Sequence, residues 1–332
     1  MTKYGKGKIV VTGGAGFIGS ALVWALNKQG INDIIIVDYK DQNEKQNNLD
    51  PLIYDDFYEA DSFLDKIHTK PHLFKEVEII FHLGACSSTT ERNVRYLISN
   101  NYIYTKRLAH WALERDVRFI YASSAATYGD GSQGLSDKST QLNLLRPLNL
   151  YGYSKHLFDI YAQHKGMLNK IVGLKYFNIF GPNENHKGDM RSVVNKAFHQ
   201  INESHKVNLF KSYNSNFKDG EQKRDFLYVK DAVAMTLYIA KEKDIFGIFN
   251  IGSGVAITWN KLVSSIFKAM NLEENIEFIE MPEYLRSKYQ YYTQADISRL
   301  QENGYNPTIT EITSAVGDYI KNYLIPNKHL GE

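Results

Sequence analysis

The stretch KIVVTGGAGFIGSALVWALNKQGINDIIIVD, residues 8 to 38, restricts this chain more than any other. KIVV is a short apolar run rich in β-branched residues, the pattern of a strand covered on both faces. From Phe17, apolar residues recur at Ile18, Ala21, Leu22 and Ala25, which is helical spacing, and Gly30 marks a helix stop. IIIVD reads as a second buried strand ending at Asp38. Strand, turn, helix and strand make the βαβ unit of a nucleotide-binding fold. Gly13, Gly16 and Gly19 fill the turn as G-x-x-G-x-x-G. The first permits the tight turn, the second lets backbone approach a pyrophosphate, and the third lets helix and strand pack closely. The helix start then offers free N–H groups and the positive end of its dipole to phosphates. A bare glycine pattern is also met in turns without a ligand; the strand before and the helix after favour a dinucleotide.

Asp38 stands where an acidic residue accepts hydrogen bonds from the adenosine ribose, which points to NAD, because a carboxylate repels a 2′-phosphate. Lys40 and Lys45 follow closely and offer compensating charge. These residues leave NAD and NADP both open.

The alternation continues. VEIIFHLGA reads as a strand, NVRYLISNNYIYTKRLAHWALERD as a long helix and VRFIYASSA as a strand. LYGYSKHLFDIYAQHK reads as a helix and KIVGLKYFN as a strand, and beyond about residue 178 the pattern is less regular. RDFLYVKDAVAMTLYIAK and GIFNIGSG read as a strand, a helix and a late strand that return to the first lobe. The expectation is two interleaved lobes: residues 1–177, joined again by about 225–252, and 178–332.

The formal net charge of +2 is too small to suggest a nucleic-acid partner. Cys86 is the single cysteine, so neither an intrachain disulfide nor a cysteine-rich zinc site is expected, and no metal is invoked. MTKYGKGKIVVTGG has no long apolar run and no window reaches membrane-spanning length, so a cytoplasmic protein is expected.

Chemistry enters with NLYGYSK, residues 149 to 155. On a helix, positions i and i+4 share a face while i and i+2 diverge. Tyr151 can stand beside Lys155, and Tyr153 cannot. A free tyrosine has a pKa of about 10; a lysine cation and an oxidised nicotinamide nearby would stabilise its phenolate. That phenolate can take a proton from a substrate hydroxyl as hydride leaves the carbon. Ser124, at the end of a predicted strand, can orient the same oxygen, since ligands bind at the carboxyl edge of such sheets.

TGGAGFIG, SSAATYG, YGYSK and RDFLYV together resemble the extended short-chain dehydrogenase/reductase family over nearly the whole chain. The resemblance implies an α/β fold: a Rossmann-type, doubly wound, mostly parallel sheet of seven strands with a smaller α/β substrate domain. Within it, dehydratases carry an acidic pair after the active-site Ser/Thr; here Ala125 and Ala126 follow Ser124, which argues against that branch. FHLGACSSTTE, NNYIYTK, YFNIFGPNENHKGDM and KYQYYTQAD are similar to the branch of ADP-L-glycero-D-manno-heptose 6-epimerases. That branch implies inversion at C6″ of ADP-D-glycero-D-manno-heptose, tightly held NADP, a role in lipopolysaccharide inner-core synthesis, and a homo-oligomer of five or more subunits. C6″ carries no acidic C–H, so hydride is removed to give a transient ketone and returned to its other face. A hydroxyl presented in two orientations calls for a second acid/base. The resemblance nominates Lys187, whose lysine needs a lowered pKa for the task.

By the same resemblance Phe17, Ile18, Asp38, Tyr39 and Lys45 are cofactor contacts, as are Leu83, Gly84, Ala85, Cys86, Ser87, Asn100, Lys155, Ile179 and Lys187. Asn178, Asp189, Lys196, Phe210, Lys211, Ser212, Tyr213, Arg224 and Tyr289 are implied substrate contacts. Leu83 replaces a carboxylate frequent in the branch, and Lys196 a histidine. KSYNSNFKDGEQK, before Arg224, is longer than usual. A guanidinium fork at Arg224 suits a diphosphate. Two other readings stand beside this one: a different nucleotide-sugar epimerase or reductase, and a non-catalytic NADP-binding sensor.

Overall fold

A computed structural model of the protein describes residues 7–39, 44–138, 141–286 and 289–332. Lys40 lies outside the described residues. The first strands are β1 (Lys8–Thr12), β2 (Ile34–Asp38), β3 (Asp56–Glu59), β4 (Val77–His82), β5 (Arg118–Ser124) and β6 (Val172–Tyr176). They are followed by β7 (Asn178–Phe180), β8 (Val207–Phe210), β9 (Lys223–Tyr228), β10 (Gly247–Ile251), β11 (Ala256–Thr258) and β12 (Ile276–Ile279). The central sheet has seven strands in the order β10-β6-β5-β4-β1-β2-β3. Every pair in it is parallel. The order reverses between β1 and β4, which opens a crevice at the carboxyl edge.

Both faces of this sheet are covered, and the strands show why their sequences are continuously apolar. Ile9, Val11, Ile34 and Ile36 belong to one core, and Val10, Ile35 and Val37 to the other. Alternate side chains point to opposite faces, so a strand between two helical layers can afford no polar position. Full burial of each such side chain contributes roughly 1.5–3 kcal/mol.

The nearer helices are α1 (Phe17–Asn27), α2 (Glu44–Asn47), α3 (Ala60–Thr69), α4 (Val94–Leu97), α5 (Tyr104–Leu113) and α6 (Leu150–His164). Later come α7 (Val193–Ser204), α8 (Val229–Lys241) and α9 (Trp259–Met270). The single helix expected over 93–116 is not uniform: a π-turn, Ile98–Ile103, separates α4 from α5. Asn101 sits in that turn, fully buried, and its side chain is committed elsewhere (below).

After residue 228 the chain re-enters the first layer. Helix α8 packs on α1, and β10 pairs with β6. Strand β9 does not join the central sheet; it lies between β7 and β11 in a three-stranded sheet, while β8 and β12 form a third. No helix among the described residues is long and apolar enough to cross a membrane.

Candidate active site

Two adjoining cavities, about 430 and 380 Å³, open at the carboxyl edge of the central sheet. Phe17, Leu83, Ala85 and Lys187 line both, so they form one continuous cleft.

The first cavity is built on the glycine turn. Gly13 adopts φ +68°, and a Cβ there would lie 2.6 Å from the Gly84 nitrogen. A Cβ on Gly19 would lie 2.0 Å from the Gly13 carbonyl oxygen, so α1 could not approach β1 as it does. Helix α1 starts at N-cap Gly16 without a side-chain cap, which leaves its first N–H groups for a ligand. A close turn, a bare helix start and room between them fit a dinucleotide's pyrophosphate. Asp38 closes the far side: its carboxylate accepts from Ala15 N (3.0 Å), Tyr39 N (2.8 Å) and Lys45 Nζ (3.3 Å). Gly16, Ile18, Gly84, Cys86, Ser87 and Asn100 complete the lining.

A polar chain runs from this turn to the second cavity. Thr12 Oγ1 and His82 Nδ1 are 2.7 Å apart, and His82 Nε2 and Thr105 Oγ1 2.8 Å. Burial, with the Lys155 cation, pushes His82 down to about 3, so its imidazole is neutral. Thr105 donates to the Asn101 carbonyl. The Asn101 amide accepts from Cys86 N and donates to Cys86 O, both at 2.9 Å, and also donates to Ser154 Oγ. Ser154 Oγ donates to the Tyr151 carbonyl at 2.7 Å. Asn100 lines the cavity, but Asn101 ties its wall to α6. Thr12, His82 and Asn101 stand within the quoted stretches TGGAGFIG, FHLGACSSTTE and NNYIYTK, but sequence reasoning gave them no role.

The second cavity holds Ser124, Tyr151, Lys155, Asn178, Ile179 and Lys187. Asn149 caps α6 by accepting from Gly152 N at 2.8 Å. A Cβ on Gly152 would meet the Ala126 carbonyl at 2.9 Å, so this glycine lets α6 press against the turn after β5. That approach brings Tyr151 into hydrogen bond with Ser124. Burial raises the phenol, and the Ser124 bond opposes it. Lys155 is buried, donates to the Ala122 carbonyl at 2.9 Å, and is lowered by burial to about 8. Tyr153 points away and is 44% exposed. Lys187 reaches in from the loop before α7, its Nζ 5.2 Å from the Phe17 ring centroid. Burial lowers its pKa, opposed by Glu184 and assisted by Lys196.

The implied substrate residues divide. Asn178 lines the second cavity and donates to the Asp225 carbonyl at 2.9 Å. Arg224 lies behind the wall, with its guanidinium carbon 5.9 Å from the Trp259 ring centroid and 5.2 Å from that of Tyr289. Trp259 lines the cavity and donates to Tyr289 Oη at 3.0 Å. Asp189, Lys196, Phe210, Lys211, Ser212 and Tyr213 line neither cavity. Their polar groups are engaged at the surface: Lys196 with the Asp189 carbonyl, Lys211 with Glu280, Ser212 with Asp219, and the Tyr213 ring 3.7 Å from the Arg286 guanidinium. Met190 and Trp259 line the cleft without having been singled out.

A parallel sheet in this order, a glycine turn at its switch point and a Ser–Tyr–Lys group at its carboxyl edge define an enzyme that uses a nicotinamide dinucleotide. The model of the NAD dependent epimerase/dehydratase family matches residues 9–252, and the chain belongs to that family. It is 48% identical over 315 residues to an ADP-L-glycero-D-manno-heptose-6-epimerase of Nitratidesulfovibrio vulgaris Hildenborough, covering 95% of this chain and 97% of the other. Among solved structures it resembles the ADP-L-glycero-D-manno-heptose-6-epimerase of Helicobacter pylori, with TM-score 0.78, 25% identity and 97% of each chain covered. It also resembles a UDP-glucuronic acid 4-epimerase from Bacillus cereus in complex with NAD, with TM-score 0.75, 26% identity and coverage of 95% and 99%.

Proposed function

We propose that this chain is an isomerase that inverts C6″ of ADP-D-glycero-β-D-manno-heptose to give the L-glycero epimer. The observation that carries the reading is that Tyr151 and Lys187, from separate elements, line one cavity. A dehydrogenase needs one proton-transfer group; inversion of a carbinol presented in two orientations uses two. A nicotinamide dinucleotide held along the glycine turn and the Leu83–Ser87 wall would supply the hydride acceptor and donor. Tyr151 takes the hydroxyl proton while Ser124 orients the oxygen and Lys155 stabilises the phenolate charge. When the ketone offers its other face, the Lys187 ammonium donates a proton to the reoriented oxygen as hydride returns, and proton exchange with solvent restores the Tyr151 phenolate and the Lys187 ammonium. No reduced cofactor is released, because each cycle returns the hydride it took.

NADP fits the ribose end better than NAD. Both oxygens of Asp38 already accept N–H groups from Ala15, Tyr39 and Lys45, so the carboxylate is poorly placed to take a ribose diol. Lys45 brings a cation to the place a 2′-phosphate would occupy. The product serves lipopolysaccharide inner-core assembly, and the enzyme works in the cytoplasm as a homo-oligomer of five or more subunits. An apolar stripe of exposed Leu150, Tyr153 and Leu157 on α6 supports subunit contact.

Proton NMR of the ADP-heptose tests the reading. Inversion at C6″ with a flat reduced-nicotinamide band is expected. Inversion at C4″ of another sugar nucleotide, or one reduced cofactor released per product, would replace it. Tight NADP binding with no turnover on any sugar nucleotide would favour a sensor.

A further inference from the structure

Beneath the Tyr151–Lys155 pair lies a buried ionic cluster that the reaction above does not use. Asp159, one helical turn beyond Lys155, is completely buried. Its Oδ1 accepts from Tyr121 Oη at 2.9 Å and its Oδ2 from Ser123 Oγ at 2.7 Å. Lys175 Nζ, on β6, stands 3.9 Å from the same carboxylate and 4.1 Å from the Tyr128 ring centroid. Lys175 is itself buried, and its ammonium has no hydrogen-bond partner among the described residues. Holding a carboxylate and an ammonium out of water is unfavourable before any pairing. Apolar side chains would fill this space more cheaply, so stability alone is a poor account of the cluster.

The placement of the contacts gives a better one. Four consecutive residues of β5 are tied to one face of α6. Tyr121 and Ser123 donate to Asp159, Ala122 accepts from Lys155, and Ser124 bonds Tyr151. On a helix, residues 151, 155 and 159 share that face. We propose that Asp159 is the positioning residue of the Tyr151–Lys155 pair, fastening α6 to the end of β5 and setting a buried negative charge one turn from the lysine. This rests on Tyr151 and Lys155 being the acid/base pair.

The surroundings leave Asp159 as the anion that matters to Lys155. Lys155 shares a helix face and a cavity with Tyr151, and the charged and titratable groups acting on it are Asp159 on its own helix, His82 at the end of β4 and Cys86 just after it. His82 is neutral, and burial pushes the Cys86 thiol up, keeping it protonated. Asp159 in turn faces Tyr121 on β5, Tyr128 just after β5, Lys175 on β6 and His156 on α6. Burial depresses Lys155, and Asp159 is the first influence opposing it. Without that charge the lysine gives up its proton at lower pH.

The test is Asp159→Asn in the cofactor-loaded enzyme, with epimerisation followed across pH. The alkaline limb of kcat/KM is expected to move to lower pH by about one unit, the lower end of what one close charge does. Ser123→Ala removes a donor but keeps the charge; kcat should fall at unchanged KM while the limb stays. A folded, cofactor-loaded Asp159→Asn enzyme with the wild-type limb overturns the proposal. If that variant does not fold, Tyr121→Phe combined with Ser123→Ala decides: a fall of about thirtyfold in kcat, the ~2 kcal/mol of two lost hydrogen bonds at 1.36 kcal/mol per tenfold, supports the positioning role, and wild-type kcat overturns it. Lys155→Met separates the two failures. Wild-type turnover in Lys155→Met sinks the reading of the pair; an inactive Lys155→Met beside an unmoved limb in Asp159→Asn sinks only the role of Asp159.

Discussion

Replacing Lys187 by methionine distinguishes a proton-transfer group from a lysine that merely packs. In the structure its ammonium makes one ring contact, 5.2 Å from the Phe17 centroid. The ammonium is largely desolvated, so a contact of that kind contributes up to about 2 kcal/mol. Methionine keeps most of the stem, so packing alone predicts a loss of up to about thirtyfold, at 1.36 kcal/mol per tenfold. A positioned acid/base contributes about 10²–10⁴-fold, or roughly 3–5 kcal/mol. The two accounts therefore separate at about a hundredfold. The expected result is kcat reduced at least a hundredfold, with bound cofactor and melting temperature close to wild type. Proton NMR of the substrate gives the rate, and cofactor released on denaturation gives the occupancy. A loss of less than about thirtyfold in a fully loaded enzyme would refute the second acid/base. Retained full activity would leave Tyr151 alone with both orientations of the hydroxyl.

Tyr151→Phe should cut turnover by at least about 10², whereas Tyr153→Phe, altering a ring that lines neither cavity, should leave it within about twofold; the same NMR assay compares them. Activity should decline above pH 8, because Lys155 is lowered to about 8 by burial and the role proposed for its cation is to stabilise the phenolate. Each further pH unit then removes about tenfold of the protonated form, and a rate still rising at about pH 9.5 would contradict this role for Lys155. Lys45→Ala should weaken NADP by about tenfold or more, since a hydrogen bond to a charged group contributes about 1.5–3 kcal/mol. NAD should change much less, and equilibrium titration of the cofactor-free protein with each nucleotide checks it.

The nucleotide half of the cleft was legible in the sequence because local geometry and ligand chemistry coincide there. Gly13, Gly16 and Gly19 are constrained by backbone approach within one turn, and Asp38 follows at the end of β2 and Lys45 on α2. The Tyr151–Lys155 relation was legible for a similar reason: four residues on one helix share a face wherever that helix sits. The implied substrate contacts were less so. Asn178 lies in the cleft, but Arg224 is sandwiched near Trp259 and Tyr289 behind its wall. Residues 210–213 lie at the surface near Glu280 and Arg286, an outcome set by how β8 and β12 pair. Asn101 escaped notice because its importance comes from a π-turn that no apolar periodicity announces.

By itself, then, the amino-acid sequence determined what short-range physics controls. The continuous apolar runs of β1 and β2 demanded a sheet covered on both faces. The glycines demanded a close turn, and the i, i+4 spacing chose Tyr151 over Tyr153. Only the tertiary structure decided which distant groups meet. It brought Lys187 from the loop before α7 to the cavity of Tyr151, returned β10 to the edge of the sheet beside β6, and sealed Asp159 with Lys175 under the active site. The reason is that pattern along a chain reports which face of an element is buried, while the identity of the neighbour on that face depends on how layers stack and where loops cross between them.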